Sequence, residues 1–178
     1  MKKNPPLGLQ QLRAFTLLEI MTVIVVISIL SLMAYSSFMA LQAKAERAKC
    51  VNNLQGLYAA ASSHLNDHES WPQISALDVE APQFAASWMA ALKPYHIEKS
   101  HWNCVTVHKA IGSPPEDPQK PRIDYLPSSF DDKPSSPRRF PTHPWFIERA
   151  DAHGDGNLII FANGQIHSLN ELTPAAGN

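Results

Sequence analysis

The sequence predicts an α+β fold: one long N-terminal helix, apolar in its first half and amphipathic in its second, packed on a small head with an antiparallel sheet. Three observations predict it. Residues 20–43 carry no charged side chain, and at about 1.5 Å per residue they make roughly 36 Å of helix, enough to cross a bilayer. Beyond them Leu41, Ala45, Ala48, Val51, Leu54, Tyr58, Ala61 and Leu65 recur at three- and four-residue spacing, the period of a helix with one buried face. Near the end, "LIIFANGQIHSL" sets two apolar runs either side of Asn163-Gly164, the pattern of an antiparallel hairpin.

Hydrophobic residues make up 44% of the 178 and charged residues 17%, which allows a globular part, but much of the hydrophobicity is gathered near the N-terminus. Lys2, Lys3 and Arg13 precede the apolar run, and basic flanks favour the cytoplasmic side of a bilayer. A cleaved secretory signal fits poorly: the apolar run is too long, no Ala-x-Ala site closes it, and "SSFMALQAKAERAKC" leads straight into charged helix. The segment therefore reads as a retained anchor over residues 15–43. Glu19 lies inside it. An acid in the hydrocarbon core costs on the order of 3 kcal/mol and calls for a cationic partner; the alternative is a carboxylate at the headgroup boundary.

Residues 44–70 continue as an amphipathic helix, with Lys44, Glu46, Arg47 and Lys49 off the apolar stripe and "NDHESWP" ending it, since Pro72 cannot continue a helix. The head occupies 71–178. Pro82 followed by "QFAASWMAALKPY" predicts a short helix with Phe84, Trp88, Ala91 and Leu92 on one face and Pro94 as its stop. The alternation of Trp102, Cys104, Val105 and Val107 in "HWNCVTVHKAI" predicts a strand. Nine prolines between Pro114 and Pro144 predict a long loop over 113–144 with no regular element; a partner-binding proline tract is the other reading. Over 157–169 the Asn-Gly pair predicts a hairpin closed by a type I′ turn.

The stretch "AFTLLEIMTVIVVISIL" resembles the N-terminus of type IV pilins and pseudopilins. The resemblance implies a prepilin leader over residues 1–14, cut by prepilin peptidase between Ala14 and Phe15. It also implies N-methylation of Phe15 and a role for Glu19 in filament assembly, neutralising the terminal amine of a neighbouring subunit. Ala14 departs from the usual Gly before the cut; it is the next smallest residue, and cleavage is expected to survive. A carboxylate facing an amine in low dielectric is a strong pair of which neither half is tolerable alone. "AKCVNNLQGLYAAASSHLNDHESWP" resembles the Cys-x-Asn-Asn-Leu stretch of prepilins of the major pseudopilin kind. Nine residues separate His153 from Asn163-Gly164, which resembles a C-terminal signature of a large prepilin family with Asn163 in place of Asp. These resemblances imply a pilin-like fold and a structural subunit of a type IV filament. A pseudopilin of a type II secretion system is the first reading, with an adhesion, motility or DNA-uptake pilin as the rival. Implied partners are like and unlike filament subunits, prepilin peptidase and an inner-membrane assembly platform. The implied location is the bacterial inner membrane, single-pass, with a cytoplasmic N-terminus and a periplasmic head. From another class, a periplasmic enzyme or sensor would use the helix only as a tether.

A head facing the periplasm sits in an oxidising compartment, so Cys50 and Cys104 are a candidate disulfide, with two separately buried thiols as the alternative. His64 and His68 stand one helical turn apart, but no third ligand accompanies them. Asp151, Asp155 and Asn157 are candidate calcium ligands, as the resemblance to major pseudopilins implies; the alternative is a polar turn whose side chains cap their own backbone. No other cofactor is expected. Nucleophile–base arrangements, Gly-rich phosphate loops and zinc spacings are missing, so the sequence predicts no enzyme. Removing Lys2, Lys3 and Arg13 with the leader leaves 12 basic against 16 acidic side chains, a net charge of −4. Arg138-Arg139 is the one minor basic patch, and no nucleic-acid partner is expected.

Overall fold

The structure, a computed structural model, describes residues 15–77, 80–115, 117, 120–133 and 135–173, without the side chain of Ser36. The chain divides between Gln42 and Ala43 into two units. Helix α1 (Leu17–His68) belongs to both. In the first unit it is apolar all round: from Leu17 to Leu41 the large hydrophobic side chains lie exposed, and an 18-residue window reaches a mean hydropathy of 2.5. Ser28 and Ser31 return their hydroxyls to the carbonyls of Ile24 and Ile27 at 2.8 Å, so their polar atoms are satisfied within the helix.

In the second unit, α1 buries Cys50, Leu54, Leu57, Ala60, Ala61 and Leu65, a stripe at helical spacing. It is rotated from the face the sequence predicts. Ala45 and Ala48 are exposed, whereas Leu57 and Asn53 turn inward. Small alanines are compatible with either face, and the tether at Cys50 decides between them. The helix ends at His68, and Glu69 takes the left-handed conformation (φ 53°) typical of a helix stop. Pro72 therefore follows the stop and does not cause it.

Helix α2 (Pro82–Leu92) opens with proline in its first turn and buries Phe84, Ala85, Trp88 and Leu92. Single 3-10 turns follow at Lys93–Tyr95 and Lys99–Trp102. The strand expected around Cys104 is instead a helix, α3 (Val105–Ile111), with Val105 exposed and Val107 buried. Cys104, Val107 and Ile111 fit a helical period as well as Cys104, Val105 and Val107 fit a strand. The choice falls to tertiary contacts: the N–H of Cys104 donates to the buried Asp124 carboxylate at 2.9 Å.

The sheet is an antiparallel meander in the order β1 (Tyr125–Pro127), β2 (Pro144–Glu148), β3 (Leu158–Phe161) and β4 (Ile166–Ser168). A long N-terminal helix followed by a small head with this sheet is an α+β, pilin-like arrangement. Strand β1 lies inside 113–144, so that span is not a bare loop. Its proline is tolerated because β1 is an edge strand, and Pro144 is tolerated as the first residue of β2, beside a bulge. Two indole N–H groups pin the rest of the span: Trp71 donates to the Ser128 carbonyl at 2.9 Å and Trp145 to that of Pro137 at 2.7 Å. Trp71 and Trp145 meet at 4.9 Å between ring centroids, with Trp88 and Phe146 packed beside them.

The hairpin between β3 and β4 does not close with a type I′ turn. Asn163 has a negative φ and only Gly164 is left-handed (φ 79°). The Gly164 N–H donates to Phe161 O at 2.8 Å and the Phe161 N–H to Gln165 O at 3.0 Å, the three-residue loop in which a type I turn is followed by a left-handed glycine. The reason is tertiary. Tyr58 donates its hydroxyl to Ala162 O at 3.0 Å, and a Cβ at Gly164 would stand 3.4 Å from the Tyr58 ring.

Candidate functional site

The first candidate site is the start of α1. Thr16 is the N-cap: its hydroxyl accepts from the Glu19 N–H at 3.2 Å, satisfying one donor of the first turn. Thr16 and Glu19 have capping-box spacing, and an acid in the first turn also suits the positive end of the helix dipole. Glu19 therefore has a local helical role beside the assembly role implied for it. Phe15 lies 73% exposed, and Ala14, on the other side of the expected cut, lies outside the described residues with the rest of the leader. What this end offers chemically is one acid and one aromatic residue at the mouth of a bare apolar helix.

The second candidate site lies within the head unit. Cys50 on α1 and Cys104 at the start of α3 form a disulfide, with 5.6 Å between their Cα atoms. Asn53 donates to Asn103 O at 2.9 Å, and Leu54 is fully buried, so the Cys-x-Asn-Asn-Leu stretch works as a clamp between α1 and the segment before α3. The Tyr125 hydroxyl donates to Cys50 O at 3.3 Å; burial, and then the nearby Glu148 carboxylate, hold this phenol well above its ordinary pKa.

Two buried acids here were not singled out by sequence. Asp124 is fully buried: its Oδ2 accepts from the Cys104 N–H, and its Oδ1 lies 3.3 Å from Arg122 Nε. His108 Nε2 stands 2.7 Å from Oδ2, but the ring is angled so that no hydrogen bond forms. Glu148 pairs with His153, its Oε1 lying 3.3 Å from Nε2, while its Oε2 accepts from the Leu158 N–H at 3.3 Å. The available signal was an acid set among the apolar residues of each strand region, Asp124 in "IDYL" and Glu148 in "WFIE".

Asp151, Asp155 and Asn157 each have a partner of their own. Asp151 accepts from the N–H groups of Gly154 and Gly156 at 3.0 and 3.1 Å. Asp155 pairs with Arg47 at 2.7 Å, and the Asn157 amide donates to Glu148 O at 2.7 Å. The two ends of the His153 to Asn163-Gly164 signature also lie apart in function: His153 reaches the disulfide, while Gly164 packs on Tyr58. The His64 and His68 rings lie 4.4 Å apart between centroids and tilted by 44°, and burial followed by the charge of His68 keeps the His64 imidazole below its ordinary pKa.

Compared with known proteins, residues 12–35 match the family described as the prokaryotic N-terminal methylation motif. No curated protein and no solved structure matches the chain. The motif supports a prepilin-type N-terminus, that of a pilin-like or pseudopilin structural subunit, and with the apolar helix it supports membrane anchoring. The match ends within the first unit, so the head is read from its own geometry.

Proposed function

We propose that the chain is a structural subunit of a type IV filament, a pseudopilin of a type II secretion system that supports protein export. The observation that carries the reading is the methylation motif at 12–35 on a helix whose apolar side chains are exposed all round. Prepilin peptidase cuts the Ala14–Phe15 amide on the cytoplasmic face and leaves a new amine on Phe15, which is then methylated. The helix holds the subunit in the inner membrane with its head in the periplasm. As the subunit joins the filament, its bare apolar face packs against like helices and leaves the lipid. Glu19 then meets the Phe15 amine of a neighbour, and in that low dielectric the ion pair selects the register in which both charges are covered. The Cys-x-Asn-Asn-Leu clamp and the terminal hairpin favour the secretion machine over a surface pilus.

Three measurements test this. The intact mass of membrane-extracted protein should correspond to residues 15–178 with one methyl group. Glu19→Gln and Glu19→Ala should leave insertion and cleavage unchanged but lower sheared-filament yield at least tenfold; normal assembly of Glu19→Gln would remove ion pairing as the reason for the residue. Deleting the gene should stop export of secreted proteins. Normal export with loss of surface fibres would replace the pseudopilin reading with the pilus reading.

A further inference from the structure

Four donor side chains far apart in sequence meet in one buried place: Cys50 on α1, Cys104 at the start of α3, Glu148 at the end of β2, and His153 in the segment after it. One ligand atom from each, two sulfurs, a carboxylate oxygen and an imidazole nitrogen, all lie within 4.8 Å of one another. Glu148 is 1% exposed, and the His153 side chain 3%. His153 Nε2 is 3.9 Å from Cys104 Sγ. The Thr106 hydroxyl touches three of the four, at 3.0 Å from Cys104 Sγ, 3.4 Å from His153 Nε2 and 3.6 Å from Cys50 Sγ.

As a cystine, the two sulfurs carry no thiolate and the set is closed to a metal. As two thiols, the sulfurs are no longer bonded and move apart, and the same four residues offer two sulfurs, one nitrogen and one oxygen, a four-donor mix suited to tetrahedral zinc. We propose that the dithiol form of this chain binds one zinc ion through Cys50, Cys104, Glu148 and His153, and that ion and disulfide are alternative cross-links at one place in the head.

Three features fit the ion. The Leu158 N–H holds Glu148 Oε2 and leaves Oε1 turned toward His153, the kind of outer support that orients a metal ligand. The Thr106 hydroxyl stands where it can donate to a thiolate. A cavity of about 240 Å³ lined by Lys44, Arg47, Thr106 and His153 reaches the cluster from outside, which supplies both a path for the ion and cations near a site of net charge −1. Binding exchanges two thiol protons for Zn²⁺. Oxidation by the disulfide of an exchange partner removes two electrons from the thiolates, leaves that partner a dithiol and releases the ion, after which His153 and Glu148 pair as observed. Chains are made with cysteines reduced, so the ion would join α1, α3 and β2 before oxidation does. The inference stands independently of the filament reading.

The test uses the full chain in detergent micelles, reduced with a water-soluble phosphine that is itself oxidised to the phosphine oxide, then desalted without oxygen. Native mass spectrometry should show one Zn²⁺ per reduced chain and none on the cystine form. Co²⁺ should give tetrahedral bands with thiolate charge transfer. Zinc-edge X-ray absorption on the wild-type protein should resolve two sulfur ligands at about 2.3 Å and two lighter ones at about 2.0–2.1 Å, a readout that needs no variant to fold. His153→Gln should weaken zinc binding at least tenfold. If the reduced chain has lost its native tryptophan fluorescence, zinc should restore it. No uptake, equal uptake by the cystine form, an octahedral cobalt spectrum, unchanged affinity in His153→Gln, or failure of zinc to restore a lost fold would each overturn the proposal.

Discussion

Replacing both Cys50 and Cys104 by alanine should remove one of the larger single contributions to the stability of the head. The bridge spans 54 positions of sequence, and the chain-entropy argument assigns closure of such a loop about 4 kcal/mol. Real bridges return less, because native geometry and residual structure in the unfolded chain intervene, so a loss of about 2–4 kcal/mol is expected. For a unit the size of this head that is a fall in Tm of roughly 10 °C. Alanine is the right replacement because both sites are buried in the apolar cluster, where a serine hydroxyl would add its own desolvation cost. The assay is intrinsic fluorescence of the full chain in detergent with a chelator present. The four tryptophans, Trp71, Trp88, Trp102 and Trp145, are all buried in the head, so the signal does not come from the apolar first half of α1. Phosphine reduction of wild-type protein under the same conditions should reproduce the shift. A loss below about 1 kcal/mol in both experiments would refute the reasoning and make the bridge a bystander of a core already closed by its aromatic residues.

Asp124→Ala should cost about 3 kcal/mol, since it leaves the Cys104 N–H without its buried acceptor and Arg122 without its counter-charge; Asp124→Asn, which can keep the N–H bond, should cost less by denaturant titration. Folding favours the neutral ring of His64, whose pKa is lowered, so its contribution is full above the unfolded value of about 6.5 and is lost as pH falls through that value toward the lower folded pKa. His64→Gln should therefore flatten the decline of Tm between pH 7 and 5, and an unchanged decline would show that another group drives it. Asp151 and Asp155 already hold backbone N–H groups and Arg47, so millimolar calcium should leave the head Tm unchanged; a rise would show that the ion displaces these bonds.

The N-terminal part was legible because its information is local. Hydropathy along residues 20–43 and the motif from Phe15 to Glu19 both lie within a few turns of one helix. Helix α2 was equally plain, since Pro82, its apolar period and Pro94 agree. Where two local readings were equally satisfied, the sequence could not choose. Cys104, Val107 and Ile111 make a helix as easily as their neighbours make a strand, and the buried Asp124, twenty residues on, settles it by taking the Cys104 N–H. Alanines 45 and 48 could face either way until Cys50 was tied. Proline density hid β1 because what permits Pro127 is its place on a sheet edge, a fact about neighbours in space. The type I′ turn was a fair inference from Asn-Gly in isolation, but Tyr58 from α1 sits on Gly164 and bonds Ala162, and the loop takes the shape that accommodates it. The cluster of Cys50, Cys104, Glu148 and His153 has no spacing that any linear pattern would flag, because it is assembled from α1, α3, β2 and the segment that follows β2. Sequence by itself determined the long apolar helix, the motif it carries and the class of the fold; the tertiary structure alone decided which side chains meet, because burial and charge pairing act between residues that only folding makes neighbours.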